Sequence, residues 1–134
     1  MKTISVVVPT FNEVENIRNL CEAVVDVFDK QLQQYNYELI IIDNFSTDGT
    51  RDVIEAMCAE NKRIKAIFNT RNFGQARSPV YGLKQAYGDC VIRLCADFQD
   101  PPSMIPDFIR EWESGWKIVI GVKDSSEESK FTYL

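Results

Sequence analysis

Asp97 and Gln99 stand two residues apart in the stretch Cys95-Ala96-Asp97-Phe98-Gln99-Asp100-Pro101-Pro102, directly after an apolar segment. On an extended backbone, a carboxylate and an amide oxygen at this spacing offer two hard oxygen ligands on one side of the chain. Such ligands suit Mg2+ or Mn2+, which would bridge the protein to a diphosphate. The same residues also read as a capping aspartate beside a glutamine that satisfies a turn, and composition leaves both readings open. Arg71, in a loop, is suited to phosphate oxygens and reads equally as a solvated surface charge. Other chemistries drop out. The sequence contains no histidine, which excludes Ser-His and Cys-His nucleophiles within the chain. Its cysteines, Cys21, Cys58, Cys90 and Cys95, form no CxxC pair, so the common zinc patterns are absent. Cys21 and Cys58 fall on apolar helical faces and read as buried, reduced thiols. Cys90 and Cys95, five apart on one expected strand, would face opposite sides and could not pair.

The elements that must position these residues alternate in type. Residues 4–8 form a short β-branched run ending at Pro9, as in a strand buried on both faces. From Asn12 the period changes: Val14, Ile17, Leu20, Cys21, Val24, Val25 and Phe28 recur at helical steps, with Asn12 as cap and Glu13 and Glu15 facing the helix dipole. Residues 37–42 read as a second strand, followed by a polar turn and a helix with Val53, Ile54, Met57 and Cys58 inward. Residues 64–68 make a third strand, followed by a loop and a helix that Gly88 closes. Residues 90–96 make a fourth strand, Pro101 and Pro102 open another helix, and 117–122 make a fifth strand. Alternating strands and helices imply right-handed βαβ units and a parallel sheet with helices on both faces. Ligands of such sheets bind beyond the carboxyl ends of the strands, where the polar signals of this sequence collect.

A chain of 134 residues, 45% of them apolar, can build one full core, and a charged fraction of 26% argues against disorder. With a net charge of −5 and no basic run longer than two residues, polymeric nucleic acid is a poor partner, whereas one small phosphate ligand is still possible. No stretch approaches the ~18 to 20 apolar residues of a membrane span. Met1 and Lys2 lead straight into the first strand without a signal-peptide pattern, so the expected location is cytoplasmic, with reduced thiols.

The stretch Asp97-Phe98-Gln99-Asp100-Pro101-Pro102 resembles the signature that family 2 glycosyltransferases of the polyprenyl-phosphate, dolichyl-phosphate mannosyltransferase-like branch carry after their fourth strand. Three further segments match in order: Val8-Pro9-Thr10-Phe11-Asn12-Glu13, Ile42-Asp43-Asn44-Phe45-Ser46-Thr47-Asp48-Gly49-Thr50 and Arg71-Asn72-Phe73-Gly74. The resemblance implies a GT-A fold: a Rossmann-like three-layer α/β sandwich with a mainly parallel sheet, truncated here after about the fifth strand. It implies a nucleotide-sugar-binding subdomain over 1–122, with 123–134 beginning the acceptor half as loop or helix. By position, Pro9, Phe11 and Glu13 would line the nucleoside pocket, and Ile42 and Asn44 would contact base and ribose. Ala96, Asp97 and Gln99 would sit at the diphosphate, Asp97 and Gln99 as metal ligands, with Arg71 at the ligand edge. From the residues alone, Phe11 reads equally as a core aromatic.

Two positions depart from the family pattern. Cys95 stands where the acidic triplet has its first aspartate, and a neutral thiol is a poor Mg2+ ligand. Asn44 replaces the second aspartate of a paired-aspartate turn, and its amide, able to donate and accept, could still read a base edge. The expected activity is inverting transfer of a sugar from a nucleotide diphosphate, with Mg2+ or Mn2+, to a polyprenyl phosphate or cell-surface glycan precursor. The catalytic base would lie beyond Leu134, and the 134 residues alone would bind donor with little turnover. A longer protein would associate with the cytoplasmic face of a membrane, and apolar surface left uncovered would favour a homo-oligomer. The rival is a catalytically silent nucleotide-binding module. Sugar nucleotidyltransfer is disfavoured, because no glycine- and lysine-rich loop follows the first strand.

Overall fold

The computed structural model describes residues 1–123 and 129–133. In it the β-branched run becomes β1 (Thr3–Thr10), flanked by β2 (Asn36–Asp43) and β4 (Cys90–Arg93), with β3 (Ile64–Phe68) outside β2. All three pairings are parallel, for example Val6 opposite both Leu39 and Ile92, and Ile41 opposite Ala66. β1 and β2 are apolar almost throughout because both sheet faces are covered. On one face Ile4, Val6, Val8, Leu39 and Ile41 pack against α1 (Ile17–Gln31), α2 (Thr50–Glu60) and α4 (Ile105–Glu113). On the other, Val7, Ile40 and Ile42 meet Leu83 of α3 (Gly74–Gln85). Gly82 allows α3 its close seat: a Cβ there would lie 3.0 Å from Ile42 Cγ2 and 3.1 Å from Val7 Cγ1. A 3-10 turn at Pro102–Met104 leads into α4.

Several boundaries differ from the sequence expectation. α1 begins at Ile17, after Asn16, not at a cap on Asn12, and its first turn carries no acidic residue. Asn12 has φ 50° and ties two loops together: its N–H donates to Ser46 Oγ at 2.8 Å, and its Oδ1 accepts from Thr47 N–H at 2.9 Å. Those cross-loop bonds hold the chain in a turn, so the dipole role for Glu13 and Glu15 falls away. α3 ends at Gln85 with Ala86 extended, and Gly88 is needed elsewhere. A Cβ on Gly88 would lie 2.5 Å from Ser5 Oγ and 2.8 Å from Ser5 N. β4 stops at Arg93, which leaves Cys95 in the following loop and not on a strand with Cys90; all four cysteines are free.

The largest difference lies at the end of the chain. The expected fifth strand, β5 (Val119–Lys123), is not hydrogen-bonded into the parallel sheet; it pairs antiparallel with β6 (Ser129–Tyr133). Residues 129–133 are therefore strand, where loop or helix was expected. Their sequence alternates Phe131 and Tyr133 with Lys130 and Thr132, a period-two pattern. Positions 124–128 and 134, covered by the same expectation, lie outside the described residues. No helix among the described residues is long and apolar enough to cross a membrane.

Candidate functional site

The carboxyl ends of β1, β2, β3 and β4 open on one edge of the sheet, and the loops leaving them are cross-braced. After β1, Glu13 N–H donates to Thr50 Oγ1 at 3.0 Å, and Glu13 Oε2 accepts from Asn16 Nδ2 at 3.1 Å. At the last position of β2, the buried Asp43 accepts from Ser46 N–H at 3.0 Å and from Arg51 Nε at 2.8 Å. Arg51 also donates to the Asn69 carbonyl and lies 5.3 Å and 5.2 Å from the Phe45 and Phe68 ring centres. After β4, Phe98 takes φ 61°, so the segment Asp97–Gln99 is a tight turn and not the extended strand end expected from sequence. That turn lets Gln99 N–H donate to Asp97 Oδ1 at 3.1 Å. Positive φ at non-glycine residues recurs at Asn12, Phe45 and Phe98, all in loops leaving the carboxyl ends of β1, β2 and β4. Backbone strain of this kind collects where a site over-determines the loops.

These loops enclose an open cavity of about 350 Å³. It gathers Pro9 from the end of β1, Phe11 and Glu13 from the first loop, Asn44 from the second, and Cys95, Ala96, Asp97 and Gln99 from the fourth. Phe11 is 48% exposed, a ring face open to solvent and not a core aromatic. Two expected residues lie elsewhere. Ile42 is wholly buried with Val7 and Ile40 beneath α3, and Arg71 stacks its guanidinium 4.5 Å from the Phe73 ring centre, outside the cavity wall.

The wall also contains residues that sequence reasoning passed over: Arg93 at the last position of β4, and Gln75, Ser78 and Pro79 of α3. Pro79 was the available signal. A proline inside a helix removes the N–H that would bond four residues back, which leaves the Gln75 carbonyl without its helical donor. Arg93 had a fainter one, a lone cation inside an otherwise apolar run.

Asp97 is exposed, and among the described residues its carboxylate accepts one local hydrogen bond, from Gln99 N–H. Cys95 is different: burial first, then the nearby Asp100 and Asp97 carboxylates, push its thiol up. Burial pushes Cys21 up to about 12 and Cys90 up to about 11, so neither is poised as a nucleophile. Among the described residues, no group of three His, Cys, Asp or Glu side chains could hold a cation without help. Any metal here would need ligand oxygens from its substrate, which suits a cation that keeps one or two protein ligands and bridges to phosphate.

Comparisons with known proteins bear on the family and the fold. Residues 5–134 match the family model described as Glycosyl transferase family 2. The chain is 38% identical over 129 residues to the undecaprenyl-phosphate 4-deoxy-4-formamido-L-arabinose transferase of Proteus mirabilis, covering 96% of this chain and 39% of that protein. It is 34% identical over 129 residues to the transferase of the same name in Pseudomonas fluorescens, covering 96% of this chain and 37% of that one. The chain thus spans less than half the length of these curated relatives. Among solved structures, S. aureus TarS 1-349 in complex with UDP-GlcNAc is similar at TM-score 0.59 and 28% identity, over 80% of this chain and 32% of that chain. The mannosyltransferase PcManGT from Pyrobaculum calidifontis, in complex with GDP-Man and Mn2+, is similar in fold at TM-score 0.61 and 24% identity, over 70% of this chain and 27% of that chain.

Proposed function

The chain belongs to glycosyl transferase family 2 and has its GT-A fold, and we propose that the cavity at the carboxyl end of the sheet binds the nucleotide-diphosphate sugar of a glycosyl transfer. One observation carries the reading: residues from three separate loops, Phe11, Glu13, Asp97 and Gln99 among them, converge on a single cavity. Phe11 offers an exposed ring on which a base can stack. Glu13, already oriented by Asn16, presents acceptor oxygens for ribose hydroxyls. Arg93 supplies a guanidinium for phosphate oxygens. Asp97 and Gln99 fit a divalent cation, Mg2+ or Mn2+, as its two protein ligands. When bound, that cation offsets charge developing on the departing diphosphate. The acceptor in this reading is a polyprenyl phosphate, supported by the names of the Proteus and Pseudomonas relatives.

The test is calorimetric titration with UDP and with GDP, each with and without Mn2+, on wild type and Asp97→Ala. Binding that needs Mn2+ and weakens at least about tenfold in the variant is expected. Equal affinity in the two proteins contradicts the assignment.

A silent nucleotide-binding module is favoured by one feature, the protonated, half-buried Cys95 thiol beside Asp97. Mn2+-dependent release of free nucleotide from a nucleotide sugar separates the two readings, since only a transferase site produces it.

A further inference from the structure

An amide has four hydrogen-bonding positions: two N–H donors and two lone pairs on oxygen. Asn44, 7% exposed at the carboxyl end of β2, uses all four inside the protein. Its Nδ2 donates to Asn72 Oδ1 at 2.8 Å and to the Gly74 carbonyl at 3.3 Å. Its Oδ1 accepts from the Phe73 N–H at 2.9 Å and from Asn69 Nδ2 at 3.2 Å. Asn69, Asn72 and Phe73 lie in the segment joining β3 to α3, and Gly74 is the first residue of α3. That segment is braced further by Gly74 N–H to Asn72 Oδ1 at 2.8 Å and by Asn69 Nδ2 to Ser78 Oγ at 3.0 Å. Backbone bonds seat the same corner: Asn44 N–H donates to the Thr10 carbonyl and Asn69 N–H to the Asp43 carbonyl, both at 2.9 Å.

Sequence reasoning gave Asn44 the role of reading a base edge. With its amide saturated, no donor or acceptor is left over for a base. We infer that Asn44 is a positioning residue: it holds the 69–74 segment, and through it the Gly74 and Gln75 wall of the cavity, at a fixed spacing from the loops after β1 and β4. An aspartate could not do the same. A carboxylate at position 44 could still accept from Phe73 and Asn69, but it has no proton for the Gly74 carbonyl, which has no alternative orientation. The neutral amide is therefore matched to an amide-rich loop, in which Asn69 and Asn72 complete the same network. The consequence for nucleotide affinity rests on the proposed donor site; the consequence for the loop does not.

The experiment follows amide hydrogen exchange by NMR in the nucleotide-free 134-residue chain for wild type, Asn44→Ala and Asn44→Asp. Titrations with UDP and GDP in the presence of Mn2+ accompany it. Asn44→Ala is expected to speed exchange at Phe73 and Gly74 at least about tenfold, the equivalent of one net hydrogen bond. Exchange at Val7 and Ile40 in the core stays unchanged. Asn44→Asp keeps Phe73 protected, while the Asn72 amide turns to donate to the new carboxylate and so withdraws the oxygen that accepts from the Gly74 N–H, exposing Gly74. Both variants weaken UDP and GDP by the same factor, because the wall has moved and no base contact has been removed. Should Asn44→Ala fail to fold, Asn72→Ala, at an exposed position, removes one arm of the network and is expected to expose Gly74 with the same uniform loss. Unchanged exchange at Phe73 and Gly74, or a shift in the UDP-to-GDP preference of more than about tenfold, overturns the inference and makes Asn44 a reader of the base. If wild type binds neither nucleotide, the donor-site reading fails, while the exchange data still decide whether Asn44 holds the loop.

Discussion

Glu38 and Asp97 mark the two ends of one parallel sheet, and their carboxylates live in opposite surroundings. Glu38, near the start of β2, is 1% exposed and accepts from Ser5 Oγ at 2.5 Å, Lys65 Nζ at 2.8 Å and Tyr87 N–H at 3.0 Å. Ser5 Oγ in turn accepts from Gly88 N–H at 2.9 Å, which pins the turn between α3 and β4. Burial raises the Glu38 carboxyl, but Lys65, Ser5 and the Tyr87 N–H together bring it below its ordinary value. Asp97, beyond β4, is exposed on a strained turn and engages one neighbouring N–H. A carboxylate satisfied by the protein stabilises the protein. One left with open coordination at a cavity wall is available to a ligand. The two ends of this sheet separate stability from binding.

Substitutions at the amino end attack the satisfied cluster and should cost the most. Gly88→Ala forces a Cβ to within 2.8 Å of Ser5 N and 2.9 Å of Thr3 O, backbone atoms that cannot swing aside. A loss of about 3 kcal/mol in urea unfolding is expected, typical of overpacking against rigid neighbours. Glu38→Ala strands the Ser5 hydroxyl and the Tyr87 N–H; with Lys65 half exposed and free to turn to water, about 2 kcal/mol is expected. Either variant, once folded, should keep Mn2+-dependent nucleotide binding within about twofold, because the cavity lies at the other end of the strands. A much larger loss of affinity would break the separation.

The sign of the pH dependence sharpens it. Because the folded Glu38 carboxyl is held below its unfolded value of about 4.3, its contribution is present above that pH and is lost as pH falls through the folded value. Unfolding measured from pH 6 downward should therefore show a steeper decline in wild type than in Glu38→Gln. Parallel curves would mean that Lys65 and Ser5 do not act on the folded carboxylate.

Substitutions at the carboxyl end should reverse the pattern. Asp97→Ala is expected to shift stability by no more than about 0.5 kcal/mol, as a loop residue outside the core, while weakening metal-dependent binding. Cys95→Asp is the smallest effect: a third hard ligand at the cavity wall should tighten Mn2+ binding severalfold in the presence of nucleoside diphosphate. Calorimetry with Mn2+ decides it, and unchanged affinity would mean that position 95 does not reach the cation.

Much of this molecule was legible in the sequence, for physical reasons that also mark the limits. β1 and β2 announce themselves as continuous apolar runs because both sheet faces are covered, and the inward faces of α1 and α2 because burial imposes a period of 3.6 residues on local sequence. Asp97 and Gln99 were legible as a pair, though not the turn at Phe98 that brings them together. The start of α1 was not legible, because Asn12 bonds to Ser46 and Thr47 on another loop, and no local pattern records a partner more than thirty residues away. The same holds for Asn44: its residue type permitted base reading, and only its four partners across the β3–α3 segment show that the amide is spent. β5 reads as one more strand of the sheet, since its apolar residues fix strand character and not the neighbour with which it pairs.

The central claim is that a cation and a diphosphate sit at the Asp97 end of the sheet and nowhere near Glu38. Paramagnetic broadening by Mn2+, read from the backbone amide signals of the 134-residue chain with UDP or GDP present, tests it most directly. The account predicts broadening of the amides of Ala96, Asp97, Gln99 and Phe11, with Lys65, Tyr87 and Gly88 left sharp, and its abolition in Asp97→Ala. Broadening centred on Lys65, Tyr87 and Gly88, or a pattern unchanged in Asp97→Ala, would contradict it.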